Sequence, residues 1–277
     1  MASSSRPLRR LGLGAGVLLM LAAGPACSQA QVAAPRASAV ASAEARQALA
    51  PSGKLRVGVY PGSPTSLLRD AAGQARGVTV DLGTELGRRL GVPVELVEFA
   101  RVAQVVDALK SGAVDFSVTN ATPARIADID FTPPILAIEQ GYLVPRGSPI
   151  ASLAQVDQPG VVVGVTEGSS SLGALSRLLK NARIVTAPSL DAAAEMIASG
   201  KVQAYATNKA ILFQLADRLP GARILDGVTG RETMGMAVPK GRPAALAYVS
   251  AFAADAVSSG LVDRAVGRAG LRGSVSP

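Results

Sequence analysis

The sequence predicts an α/β protein of two lobes built on open, mostly parallel sheets. Three observations point there. Short apolar strands alternate with amphipathic helices along most of the chain, the pattern of parallel strands joined by helical crossovers. At 277 residues and 48% hydrophobic content, the chain exceeds the size at which a single core usually stops growing, about 250 residues. The alternation also occurs twice, with an interruption at Phe131-Thr132-Pro133-Pro134 between the halves.

Residues 1–30 read as an export signal peptide. Arg6, Arg9 and Arg10 precede the apolar run Leu11–Ala23, which is too short to span a bilayer comfortably. Two cleavage readings stand side by side. Ser28-Gln29-Ala30 is a small-x-small site that would leave Gln31 first. Gly24-Pro25-Ala26-Cys27 is a degenerate lipobox that would make Cys27 a lipidation site, although Gly24 stands where lipoproteins usually carry Leu. Residues 31–52 are rich in Ala, Ser and Pro and read as a flexible linker, with a short helix accommodated near Ser42–Leu49. Folded structure is expected from Gly53.

Residues 53–137 form the first part of one lobe. Lys54–Val59 is a strand, broken by the loop Tyr60-Pro61-Gly62-Ser63-Pro64. Gly77–Leu82 leads into a helix whose Val80, Leu82, Leu86 and Leu90 lie on or near one face, and Gly91 ends it. Val92–Phe99 is a second strand. Val102, Val105, Val106 and Leu109 stripe a helix stopped by Gly112. Residues 138–232 form the second lobe. Its strands are expected at Val161–Val165, Arg183–Thr186 and Val202–Ala206, and its helices after Thr166, at Leu190–Ser199 and at Asn208–Leu219. Residues 233–277 return to the first lobe through a strand, Thr233–Val238, and a helical tail, Pro243–Ala269. The chain thus crosses between lobes near Ile135–Gln140 and again near Arg231–Met234.

The stretch Val114–Arg125 carries the first chemistry. Val114, Phe116 and Val118 alternate with polar neighbours as in a strand. The elbow Thr119-Asn120-Ala121 follows, then Thr122 at an N-cap position and Pro123 at the first helical position. Backbone N–H groups, a hydroxyl and the Arg125 guanidinium therefore converge, as an anion site requires. Taken locally, the same residues equally describe a capped helix with Arg125 on a solvated face.

Composition excludes several classes. There is no His, and the one Cys is Cys27. An imidazole base, a Ser-His pair, a His metal site and an internal disulfide are all impossible. No Asp/Glu cluster has the spacing of a cation loop, so neither metal nor cofactor is expected. Three of the eight excess positive charges lie in the leader, the rest are scattered, and aromatics make up only 3% of the chain. Nucleic-acid binding is therefore not expected.

Four motifs, in order, resemble the solute-binding proteins of amino-acid and polar-solute ABC importers. They are Lys54-Leu55-Arg56-Val57-Gly58-Val59; Gly77-Val78-Thr79-Val80-Asp81-Leu82; Thr122-Pro123-Ala124-Arg125 with Ile129-Asp130-Phe131-Thr132-Pro133-Pro134; and Met234-Gly235-Met236-Ala237-Val238-Pro239-Lys240-Gly241. The resemblance covers about residues 53–270. It implies the type II periplasmic-binding fold, two lobes joined by two crossing segments with a ligand in the cleft. It also implies an extracytoplasmic monomer that delivers its solute to a membrane permease. In the family, residues matching Arg125 and Thr122 bind the ligand carboxylate, with Asn120 beside them. The turn Gly168-Ser169-Ser170 matches the second-lobe loop that caps the same group. Two departures stand out. The family's ammonium-binding Asp is Asn208 here, which also suits a plain helix cap, and a further Asp found in some members is Tyr60.

Those departures imply an acid lacking an α-ammonium, or a neutral polar solute, rather than a standard amino acid, unless another acid such as Glu139 or Glu167 replaces the missing Asp. Two further functions compete. An enzyme of the same fold, like the cyclohexadienyl dehydratases, would need a cleft acid, and no acid matches a catalytic position. A ligand-sensing subunit would need a separate receptor, since no signalling domain follows Pro277.

Overall fold

The computed structural model describes residues 41–277. Residues 1–30, read from the sequence as an export signal, and Cys27 lie outside the described residues. In chain order the first part comprises α1 (Ala43–Leu49), β1 (Leu55–Val59), the small hairpin β2 (Leu68–Arg69) and β3 (Ala75–Arg76), α2 (Val78–Leu90), β4 (Val94–Glu98), α3 (Val102–Ser111), β5 (Ser117–Asn120), α4 (Pro123–Ile126), β6 (Ile129–Phe131) and β7 (Leu136–Val144). The second part holds β8 (Val162–Thr166), α5 (Ser170–Leu178), β9 (Arg183–Ala187), α6 (Leu190–Ala198), β10 (Ala204–Asn208), α7 (Lys209–Arg218) and β11 (Arg223–Ile224). The return is β12 (Gly230–Pro239), α8 (Pro243–Ser258), α9 (Leu261–Ala269) and β13 (Ser274–Val275).

Each lobe is parallel at heart, as the strand–helix alternation predicts. β1 pairs in parallel with β4, and β8 lies between β9 and β10, parallel to both. The antiparallel pairs belong to the crossovers. β12 pairs with β7 over Gly230–Met234, and also with β5 and β6. β7 pairs farther along with β10. The two crossing strands are thus side by side, and both lobes hang from them. Leu55, Val57, Leu82, Leu86 and Phe116 anchor the first core. Leu143, Ile197, Tyr205 and Leu212, with Val163 and Val165 on the other sheet face, anchor the second.

Three expectations change. The short helix accommodated near Ser42–Leu49 forms as α1, but it is no tether: Leu49 is fully buried against the first-lobe core. Ser42 caps this helix, accepting from the Ala45 N–H at 3.0 Å, and Ala45 and Leu49 stack one turn apart. The ordered chain therefore starts before Gly53. The helix after Thr122 is a single turn, too short for a macrodipole of consequence. The strand expected from Val114 enters the sheet only at Ser117, although Phe116 already bridges to Val57.

Candidate functional site

The first-lobe wall grows from the end of β5. Thr122 caps α4, its hydroxyl accepting from the Arg125 N–H at 3.3 Å. That turn swings the Arg125 side chain back over Thr119 and Asn120. Its Nη1 donates to Thr119 Oγ1 at 2.9 Å, to the Asn120 carbonyl at 3.3 Å and to Asn120 Oδ1. Arg125 is 6% exposed. Burial pushes its pKa down while Glu232 and Tyr60 oppose the shift, and the group stays a cation. Tyr60 closes this wall beside Ser63 and Thr65, and burial raises its phenol.

The second-lobe wall is built from two helix starts. Ser169 caps α5, accepting from the Leu172 N–H at 3.3 Å and donating to the Thr166 carbonyl at 2.7 Å. Asn208 caps α7 through Oδ1, accepting from the Ile211 N–H at 3.1 Å. Its Nδ2 is free to point elsewhere, and it donates to Glu232 Oε1 at 2.7 Å.

Glu232 is the residue that sequence reasoning missed. It sits in the crossing strand β12, 9% exposed. Ser170 Oγ donates to its Oε2 at 2.9 Å, and Gln140 Nε2 approaches the same oxygen at 3.5 Å. Burial pushes its carboxyl above the usual carboxylate range, against the pull of Ser170, Asn208, Arg125 and Gln140. The sequence holds one weak signal: in a crossing strand Glu232 stands two residues before Met234 and so shares its face, and the structure buries both. The two acids considered as stand-ins are engaged elsewhere. Glu139 pairs with Lys209 at 2.9 Å and Arg231 at 3.8 Å, and Glu167 with Arg101 at 3.5 Å.

These walls line a cleft that opens to solvent. Tyr60, Asn120, Arg125, Ser169, Ser170 and Asn208 line it, together with Glu232 and Arg101. Thr122 and Gly168 do not. Thr122 acts through its cap, holding Arg125. Gly168, at φ +67°, faces Ala103 of α3, and a Cβ there would stand 2.5 Å from the Ala103 Cβ. The two segments pack closely at this glycine. No group of three acidic or thiol ligands that suits a metal occurs among the described residues.

The family model of the bacterial extracellular solute-binding proteins, family 3, matches residues 55–268. The chain belongs to this family. A glutamine-binding protein of Geobacillus stearothermophilus is 24% identical to this solute-binding protein over 193 residues, 68% of this chain and 73% of the relative. Among solved structures, the L-cysteine solute receptor of Neisseria gonorrhoeae aligns at 25% identity with a TM-score of 0.73, over 81% of this chain and 92% of that one. An ancestral amino acid-binding protein, described as a precursor of cyclohexadienyl dehydratase, aligns at 28% identity and a TM-score of 0.70, over 80% and 97%. The fold of this family 3 protein is therefore that of the amino-acid-binding type II proteins.

Proposed function

We propose that this solute-binding protein captures a free α-amino acid between its lobes and delivers it to the membrane permease of an ABC importer. One observation carries the reading: the Arg125 guanidinium and the Glu232 carboxyl face the same cleft. An α-amino acid presents a carboxylate and an ammonium on one carbon, so it needs one cation and one anion on facing walls. Among the described residues the Arg125 guanidinium donates only through Nη1, leaving its other edge for the carboxylate, with Ser170 opposite. Glu232 supplies the anion that the change to Asn208 removed, displaced by one hydrogen bond. This replaces the expectation of a ligand without an ammonium, which rested on Asn208 and Tyr60 alone. The amino-acid specificities named for the relatives support the same class.

The test is isothermal calorimetry on ligand-free protein, pairing amino acids with their hydroxy-acid analogues. An amino acid should bind and its hydroxy-acid analogue should bind far more weakly. Tight binding of hydroxy acids with amino acids ignored would overturn the assignment. Export by residues 1–30 belongs to the same proposal, and intact mass of the cellular protein should show a chain starting at Gln31 or at a lipidated Cys27.

A second reading has one observation in its favour. A dehydratase needs a protonated cleft acid, and burial holds the Glu232 carboxyl above the usual range. Incubation with prephenate and a scan for an aromatic product decides it: the binding reading expects none.

A further inference from the structure

Arg101 is the other charged residue of the cleft that nothing above uses. It stands at the N-cap of α3, on the same lobe as Arg125, and lines the cavity. Its Nη2 lies 3.5 Å from Glu167 Oε2 across the cleft mouth, where Glu167 is half exposed. Its Nε is buried, and among the described residues it is the only buried side-chain polar atom without a hydrogen-bond partner. Orphaned buried donors are rare because each forfeits its hydration. Glu167 therefore holds this guanidinium from the solvent side, while one of its N–H groups stays unspent inside.

We propose that Arg101 is a specificity-determining residue that binds the ligand's side chain, and that the solute is an acidic amino acid. This rests on the amino-acid reading above and sharpens it. The argument is a charge count. The charged residues lining the cleft are Arg101, Arg125 and Glu232. The α-carboxylate engages Arg125 and the α-ammonium engages Glu232. Arg101 is left over: Glu167 meets its charge only from the exposed mouth, through Nη2 at 3.5 Å, and its buried Nε has no acceptor. A basic side chain would meet that cation with its own. An aliphatic one would leave Nε unpartnered. An amide oxygen would accept the bond only as a neutral group. A side-chain carboxylate accepts it through a charge-assisted bond, stronger than a neutral one.

The experiment is calorimetry of the ligand-free protein with L-aspartate, L-glutamate, their amides, an aliphatic amino acid, L-lysine and L-arginine. The natural protein should bind an acidic amino acid at least about tenfold tighter than its amide, and the basic ones not measurably. Arg101→Leu should erase the preference, bringing acid and amide to within about threefold of each other, with any loss common to both no larger than that of Glu167→Gln. Arg101→Glu should bring in lysine or arginine. Glu167→Gln should weaken all ligands alike and keep the acidic preference. The inference is overturned if a basic or aliphatic amino acid binds tightest, or if Arg101→Leu lowers acid and amide equally, as a mere latch would. Binding of no amino acid at all overturns the underlying reading and this one with it. Binding of amino acids without an acidic preference overturns this one alone.

Discussion

Glu232 is a buried acid lining the candidate cleft, and its chemistry depends on pH. In the ligand-free protein, burial raises its pKa above the ordinary value. A carboxyl raised on folding stabilises the native state below its unfolded pKa, and the benefit is lost as pH rises through the folded value. Ligand-free protein should therefore lose stability over that window, and Glu232→Gln should flatten the slope and raise the melting temperature at neutral pH. A ligand ammonium reverses the preference, because it pairs with the ionised form. Affinity for an amino acid should fall as pH drops through the raised pKa, by up to about tenfold per pH unit. Calorimetry in buffers of different ionisation enthalpy should detect proton release on binding within that window. Arg125 makes the complementary prediction. Arg125→Ala should weaken binding by about 2–5 kcal/mol, the range for truncating a buried charge partner, without unfolding the protein. Arg125→Lys should not restore it, since one ammonium replaces a planar fork already held by Thr119 and Asn120.

At the scale of elements, a buried ion cluster locks the first lobe together. Asp115, fully buried, accepts from Arg56 Nε and Nη2 at 2.8 Å each, and from Arg242 Nη1 at 2.9 Å. Arg242 also donates to the Ala48 carbonyl at 3.0 Å. One carboxylate thus ties β1, the approach to β5, the start of α8 and the end of α1. Asp115→Ala would leave two half-buried guanidiniums facing one another without a counter-ion. It should destabilise the fold by about 3–5 kcal/mol, read from the urea midpoint, while the affinity of the surviving folded fraction is unchanged. The glycine opening α2 is fixed as tightly. Gly77 sits at φ 148°, and a Cβ there would lie 2.2 Å from the Ser66 carbonyl oxygen, which explains why this motif position takes no side chain.

On the scale of the whole molecule, the proposed function requires the lobes to close about the two crossing strands. The lobes touch where Gly168 meets Ala103 and where Arg101 meets Glu167. Gly168→Ala places two methyl carbons in conflict only in that closed arrangement. The left-handed backbone adds about 1 kcal/mol of strain, so the lobes should still fold. Affinity should fall by about tenfold or more, and small-angle scattering should show no compaction on adding ligand. Ala103→Gly in the same chain should recover part of the affinity by removing the opposing methyl. Failure of that rescue, with compaction intact in Gly168→Ala, would show that this contact does not limit closure.

The sequence by itself determined the α/β class, the lobe order, the two crossings and the Thr122–Arg125 turn. Each rests on local signals: apolar periodicity, stop glycines, an N-cap followed by Pro. Residues near one another in the chain set them, so no partner need be known. Asn208 was legible as a cap for the same reason. Three things were decided only by tertiary structure. Leu49 reads as part of a tether until α8 offers it a core. Glu232 reads as one surface acid in a polar strand until β7, α5 and α7 close around it. Arg101 reads as a solvated charge before α3 until Glu167 arrives beside it and its Nε is buried. Burial and electrostatic pairing depend on which distant segments arrive at a point in space. Periodicity along one strand can say which side a residue faces, but not what will be waiting there.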